Sequence, residues 1–135
     1  MGVNALKLLH PVQPIEIDHI VLKCRDLALM QDFYVRILNC KVECVRPRLT
    51  HLRAGTSLID LVPFDLADAE MDRQKVDHFA IRLANWDGEK LLAHLDRCEV
   101  QHGEIAERFG AAGFGPSIYV FDPEDNQVEL KGVAL

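Results

Sequence analysis

Two segments of the chain carry the same chemistry at the same spacing. Ile17-Asp18-His19-Ile20-Val21-Leu22-Lys23 is matched, 59 residues on, by Val76-Asp77-His78-Phe79-Ala80-Ile81-Arg82: apolar, Asp, His, three apolar, base. A lone histidine in an apolar strand is ordinarily a satisfied core residue. Two at equivalent places in a repeat are another matter, because a repeat builds one structural unit twice. Each unit also ends in a carboxylate flanked by apolar residues, Asp60 in Leu58-Ile59-Asp60-Leu61 and Glu129 in Val128-Glu129-Leu130. Two neutral imidazoles and two carboxylates balance a divalent cation, and Fe, Mn, Ni, Co and Zn all accept such donors. Positions left open on the ion would take a substrate's oxygens, with the metal as Lewis acid. Asp60 is one methylene shorter than Glu129. It reaches a metal only with backbone adjustment, or serves beside it as hydrogen-bond acceptor or general base. His51, in the segment 49–53, is a spare candidate; His10, His94 and His102 read as solvated.

Positioning these residues takes a particular set of elements. After the first Asp-His segment, Met30, Phe33, Tyr34, Ile37 and Leu38 recur with the spacing of a helix buried on one side. Asp26 is its expected N-cap and Asn39 its stop. In the second half Asp87 caps a helix with the stripe Leu91, Leu92 and Leu95, and Trp86 staples onto Leu91. Each helix runs into a cysteine and an alternating segment, Cys40-Lys41-Val42-Glu43 and Cys98-Glu99-Val100-Gln101. Strands are then expected at 49–53 and 56–63 in one half. In the other they are expected at 117–121 and 127–132, across the turn Asp122-Pro123-Glu124-Asp125-Asn126. Each half reads as β-α-β-β-β. The loop 109–116, with three glycines interleaved with two phenylalanines, reads as a hinged flap in competition with an ordinary connector.

A helix covers one face of a small sheet, so the other face needs cover too. Two modules facing each other would supply it, giving an α+β fold. It would be a curved, barrel-like mixed sheet with helices outside and a metal or ligand cleft inside. Strand alternation then chooses the lining. With Ile20 and Leu22 toward the helix, His19, Val21 and Lys23 turn inward. By the same parity His78, Ala80 and Arg82, then Asp60, then Gln127, Glu129 and Lys131 turn inward. Parity alone thus assigns two histidines and two carboxylates to one cleft.

Composition mostly excludes. With 135 residues, 15 basic and 21 acidic side chains, the net charge is −6, which disfavours nucleic acid or an anionic membrane as partner. No apolar run is long enough to span a bilayer. The four cysteines lack C-x-x-C pairing, so reduced, mostly buried thiols in a cytoplasmic protein are expected. Residues 1–14, with Pro11 and Pro14, read as an N-terminal extension to a single domain over 15–135. Within it, module one covers about 15–64, a polar linker 65–74 and module two about 75–133.

The two Asp-His openings, Phe33-Tyr34, and the ending Ser117-Ile118-Tyr119-Val120-Phe121-Asp122-Pro123-Glu124-Asp125-Asn126-Gln127-Val128-Glu129-Leu130 resemble a known group. It is the glyoxalase/bleomycin-resistance/extradiol-dioxygenase superfamily, the vicinal oxygen chelate fold. The resemblance covers roughly residues 15–133. It implies paired βαβββ modules around one divalent metal, with His19, Asp60, His78 and Glu129 as ligands. It implies a small-molecule substrate and a homodimer, in some members with modules exchanged so that sites are shared between chains. Three activities stay open. The first is a metal-dependent lyase or isomerase of the glyoxalase I or epimerase kind, with Glu129 as ligand and base and Asp60 as its partner. The second is a dioxygenase or antibiotic-modifying thiol transferase using His19, His78 and Glu129. The third is a metal-free drug-binding resistance protein. This chain departs from the group's pattern in having Asp60 where glyoxalase I members have Glu. It also has Glu124-Asp125 where the turn commonly reads Asp-Gly, and Phe121 where many members carry a cation. Arg82 or Lys131 would then supply the anion contact, and His51, Tyr119, Phe121 and Phe114 complete the candidate substrate contacts.

Overall fold

A computed structural model describes residues 16–64, 76 and 78–133. The expected N-terminal extension and linker lie outside the described residues. Module one runs β1 (His19–Cys24), α1 (Leu27–Asp32, continued by a π-helical turn Phe33–Ile37), β2 (Lys41–Arg46), β3 (Leu49–Ala54) and β4 (Ser57–Pro63). Module two runs β5 (Phe79–Arg82), α2 (Gly88–Arg97), β6 (Ala106–Gly110), β7 (Gly113–Phe121) and β8 (Gln127–Lys131). Each module makes a four-stranded mixed sheet of the same order, β1-β4-β3-β2 and β5-β8-β7-β6. Only the first and last strand of each module run parallel, the rest antiparallel.

The caps form as the residue types require. Asp26 Oδ1 accepts from Leu29 N at 2.9 Å, and Asp87 Oδ1 accepts from Lys90 N at 3.1 Å. Asn39 ends the first helix at φ 58°, a left-handed position that asparagine tolerates. The apolar stripe is buried as expected: Met30, Phe33, Tyr34 and Ile37 pack with Leu52, Ile59 and Leu61. Burying each such side chain contributes about 1.5–3 kcal/mol against the entropy of ordering it. Trp86 lies against Gly132, where an added Cβ would meet its ring at 2.8 Å.

Two expectations for module two change. Residues 98–101 are not a strand: Glu99 takes φ 56°, and the pairing strand is β6, further on. The 109–116 segment is not an open flap but the end of the β6–β7 hairpin, with Phe109 opposite Phe114 and Gly110 opposite Gly113. Two glycines bracketing two residues is a tight-hairpin signal that the loop reading overlooks. Two histidines expected in solvent are also engaged. His94 Nε2 donates to Ile37 O at 2.9 Å, and His102 donates to Asp96 Oδ1 and Gly103 O, each at 2.7 Å.

The modules join on their helix sides. Buried Tyr34 donates its O–H to Asp122 Oδ2 at 2.8 Å, and the His94–Ile37 bond links α2 to the end of the first helix. Burial and the neighbouring Asp122 charge push the Tyr34 hydroxyl far above its ordinary pKa. Glu124, on the final turn, accepts from Arg25 N at 2.7 and 2.8 Å and from Asp26 N at 2.9 Å. Burial raises Asp122 above the ordinary carboxylate value, although four hydrogen bonds oppose the shift. The four cysteines are free thiols, and burial pushes Cys24 up to about 12 and Cys40 to about 11. Among the described residues no helix is long and apolar enough to cross a membrane.

Candidate functional site

Sheet register puts each carboxylate at the same place relative to its histidine. Val21 stands opposite Asp60 on β4, and Ala80 stands opposite Glu129 on β8. In both modules the acid is therefore beside the residue two positions after the histidine, and so on the histidine's face of the sheet. Asp60 and Glu129 are each 5% exposed, an unusual state for carboxylates without partners.

Their partners differ. On the next strand the residue opposite Asp60 is His51, whereas the residue opposite Glu129 is Tyr119. His51 Nδ1 donates to Asp60 Oδ1 at 2.7 Å, which fixes the tautomer and leaves the ring's lone pair on Nε2. His19 Nδ1 donates to Asp18 Oδ2, also at 2.7 Å. That bond, with the charges of Asp18 and Asp60, raises the His19 pKa above the usual imidazole value. In the neutral ring it also leaves Nε2 as the ligating atom, the arrangement by which a carboxylate orients a metal-binding histidine.

In module two His78 Nε2 lies 3.4 Å from Glu129 Oε1, and its ring meets Tyr119 edge-on at 5.2 Å. A cavity of about 380 Å³ opens here, with His78, Arg82, Phe109, Glu129 and Lys131 among its lining. Phe114 is not in that lining but packs edge-on against Phe109 at 5.1 Å. Phe121 is half-buried opposite Gln127 and also stands outside the lining. Arg108 escapes the sequence reading, because the strand that carries it does. Its guanidinium sits 4.4 Å over the Tyr119 ring, and Nη1 donates to Ser117 O and Oγ.

One chain thus gathers the four candidate ligands as two pairs. Among the described residues no three of His, Cys, Asp and Glu stand close enough to hold a metal ion. The cavity is built by module two alone and does not lie between the halves. Strand parity fixes which face a side chain takes, but it says nothing of how two sheets are set against each other. Here the helix sides meet, and much of module one's His19 face stays open, with the His19 side chain 46% exposed and Val21 50%.

Comparison with known proteins gives the frame. A profile of the Glyoxalase/Bleomycin resistance protein/Dioxygenase superfamily matches residues 16–130. The chain belongs to this superfamily. An integron cassette protein of V. cholerae shares the fold at TM-score 0.75 and 20% identity, over 93% of this chain and all of that one. A lactoylglutathione lyase from Agrobacterium tumefaciens aligns at TM-score 0.63 and 19% identity, over 88% and 94% of the two chains. A genomically encoded fosfomycin resistance protein from Listeria monocytogenes aligns at 0.66 and 17%, over 92% and 96%. At these identities the likeness carries the fold. No curated protein sequence matches the chain.

Two departures of this superfamily member now have structural accounts. Glu124 is long enough to reach the backbone of module one's first turn. Asp125 sits at φ 64°, the left-handed region where glycine is at ease and aspartate is tolerated. A further departure, Asp60, is matched by the imidazole of His51.

Proposed function

We propose that the protein is a divalent-metal-dependent lyase or isomerase acting on a small substrate with two neighbouring oxygens. The repeated His–carboxylate pairs at equivalent register carry this reading. His19, Asp60, His78 and Glu129 make a donor set suited to Fe, Mn, Ni, Co or Zn, and the two buried acids supply the compensating charge. Because each chain offers two half-sets, the reading includes a homodimer in which module one of one copy faces module two of the other.

The bound ion would act as a Lewis acid toward the substrate's oxygens. This chain's own residues do the rest. Asp18 holds the His19 proton on Nδ1, so that Nε2 is presented. Moving a proton between adjacent carbons needs basic groups within reach of both. Glu129 is one. The His51–Asp60 pair is the other: His51 Nε2 takes the proton while Asp60, bound at Nδ1, orients the ring and stabilises the imidazolium. Phe109 lines the cavity, and Phe114 packs edge-on against it.

The short His51–Asp60 bond also favours a second reading. An acid already held by an imidazole is less available to a metal, which leaves His19, His78 and Glu129. That is the three-ligand set of a dioxygenase or an antibiotic-modifying thiol transferase. Metal analysis of protein purified without chelator tests both, with His78→Ala as control. Less than about a tenth of an equivalent, unchanged by the substitution, overturns both readings in favour of a metal-free binding protein. Collapse of metal retention in Asp60→Ala supports four ligands; unchanged retention supports three.

A further inference from the structure

The cavity of module two carries more positive charge than metal binding calls for. Its lining holds one carboxylate, Glu129, and two full cations, Arg82 and Lys131. β5 and β8 run parallel with Arg82 directly opposite Lys131. Like charges on facing positions of one sheet face are destabilising unless something negative lies between them. Lys131 is 6% exposed, and its Nζ donates to Arg108 O at 2.7 Å and to Gly115 O at 3.4 Å. Carbonyl partners orient an ammonium but leave its charge uncompensated.

Its position is built into the chain. A Cβ at residue 110 would sit 2.5 Å from Lys131 Cε, so Gly110 leaves the space through which the lysine stem passes. Arg82 is exposed at the cavity and makes no ion pair with a described residue. Arg108, the other cation close by, is turned onto Tyr119 and Ser117 and is not part of the lining. The doubling does not come from the repeat, since module one has Lys23 opposite Val62 at the equivalent place.

We propose that Arg82 and Lys131 form an oxyanion subsite, and that the ligand of this cavity is a small acid whose carboxylate lies between them. The proposal rests on the metal reading in one respect: with Glu129 given to a cation, the lining keeps no acid to balance the pair. The subsite itself needs no metal. Glycolate and its neutral isostere glycolamide test it, since they share neighbouring oxygens and differ in charge. Trp86, the chain's single tryptophan, packs on Gly132 of the cavity wall and reports binding by its fluorescence.

EDTA-dialysed and Mn(II)-loaded protein should both bind glycolate about tenfold tighter than glycolamide, the range of a charge-assisted contact. Arg82→Gln, an exposed change, should bring the two ligands within about twofold while Mn(II) retention stays at the wild-type level. Lys131→Met should act in the same direction, and Arg82→Gln decides the matter if that buried change prevents folding. Equal affinity for the two ligands, no saturable glycolate binding, or full preference retained in Arg82→Gln would overturn the subsite. Protein that holds no Mn(II) yet keeps the Arg82-dependent preference overturns the metal reading and leaves this one standing.

Discussion

The two modules share order, register and the placing of histidine and acid, yet one strand position separates their chemistry. Opposite the acid stands His51 in module one and Tyr119 in module two. An imidazole can give its proton to a carboxylate and keep a lone pair for other work, and it does so at 2.7 Å. Tyr119 instead turns its ring to His78 and Arg108, so that Glu129 faces its own histidine at 3.4 Å. A duplicated scaffold thus offers one acid that is already engaged and another whose histidine neighbour stands further off. The modules are equivalent as frames and distinct as reagents.

The largest test of that distinction removes Glu129. Glu129→Ala should weaken retained metal by about a hundredfold or more, read as metal per chain after graded dialysis. Next is the joint between the modules. Tyr34→Phe leaves the buried Asp122 oxygen without its phenol donor and should cost about 1–3 kcal/mol, seen in urea unfolding. An unchanged midpoint would show that the helix-side joint does not depend on this bond.

His51→Gln is smaller and sharper. If Asp60 is a ligand positioned by His51, metal affinity falls about tenfold, as for a lost outer-shell partner. A rise instead would show that His51 competes with the metal for Asp60, and would shift the balance toward three ligands.

The smallest effect concerns protonation of His102 in module two. Both ring nitrogens donate, to the Gly103 carbonyl and to Asp96, and these raise its pKa above the unfolded value of 6.5. Its contribution is therefore complete below that value and is lost as pH rises through the higher folded one. The stability gap between wild type and His102→Gln should be widest below pH 6.5 and close as pH rises through the higher folded pKa, checked by urea midpoints. A gap independent of pH would contradict a protonated His102.

Much of this was legible in the residues. Period-3.6 stripes gave the helix faces, Asp26 and Asp87 marked their starts, and alternation put His19, Asp60, His78 and Glu129 on the faces away from the helices. These are local properties, decided by neighbours a few positions away. The strand β6 was missed because Ala106–Gly110 is short and half polar, and it exists by pairing with β7. The bonds that join the modules were not legible for the same kind of reason. They include contacts such as Tyr34–Asp122, between residues far apart in sequence whose types alone do not announce a bond. His94 and His102 read as solvated because their partners, a carbonyl in the other module and an acid six residues back on the preceding helix, cannot be seen in their own segments.

The hold of Glu124 on the backbone of Arg25 and Asp26 bears on synthesis. Those amides lead into the first helix, yet their acceptor lies 99 and 98 residues further along the chain. A nascent chain completed only through β4 has every strand of its first sheet but lacks the group that closes its first turn. The first turn of module one is thus among the last parts of the described fold to be finished, and contacts of such long separation form slowly. Truncation or stalling before the final hairpin would leave module one assembled with its opening turn unlatched.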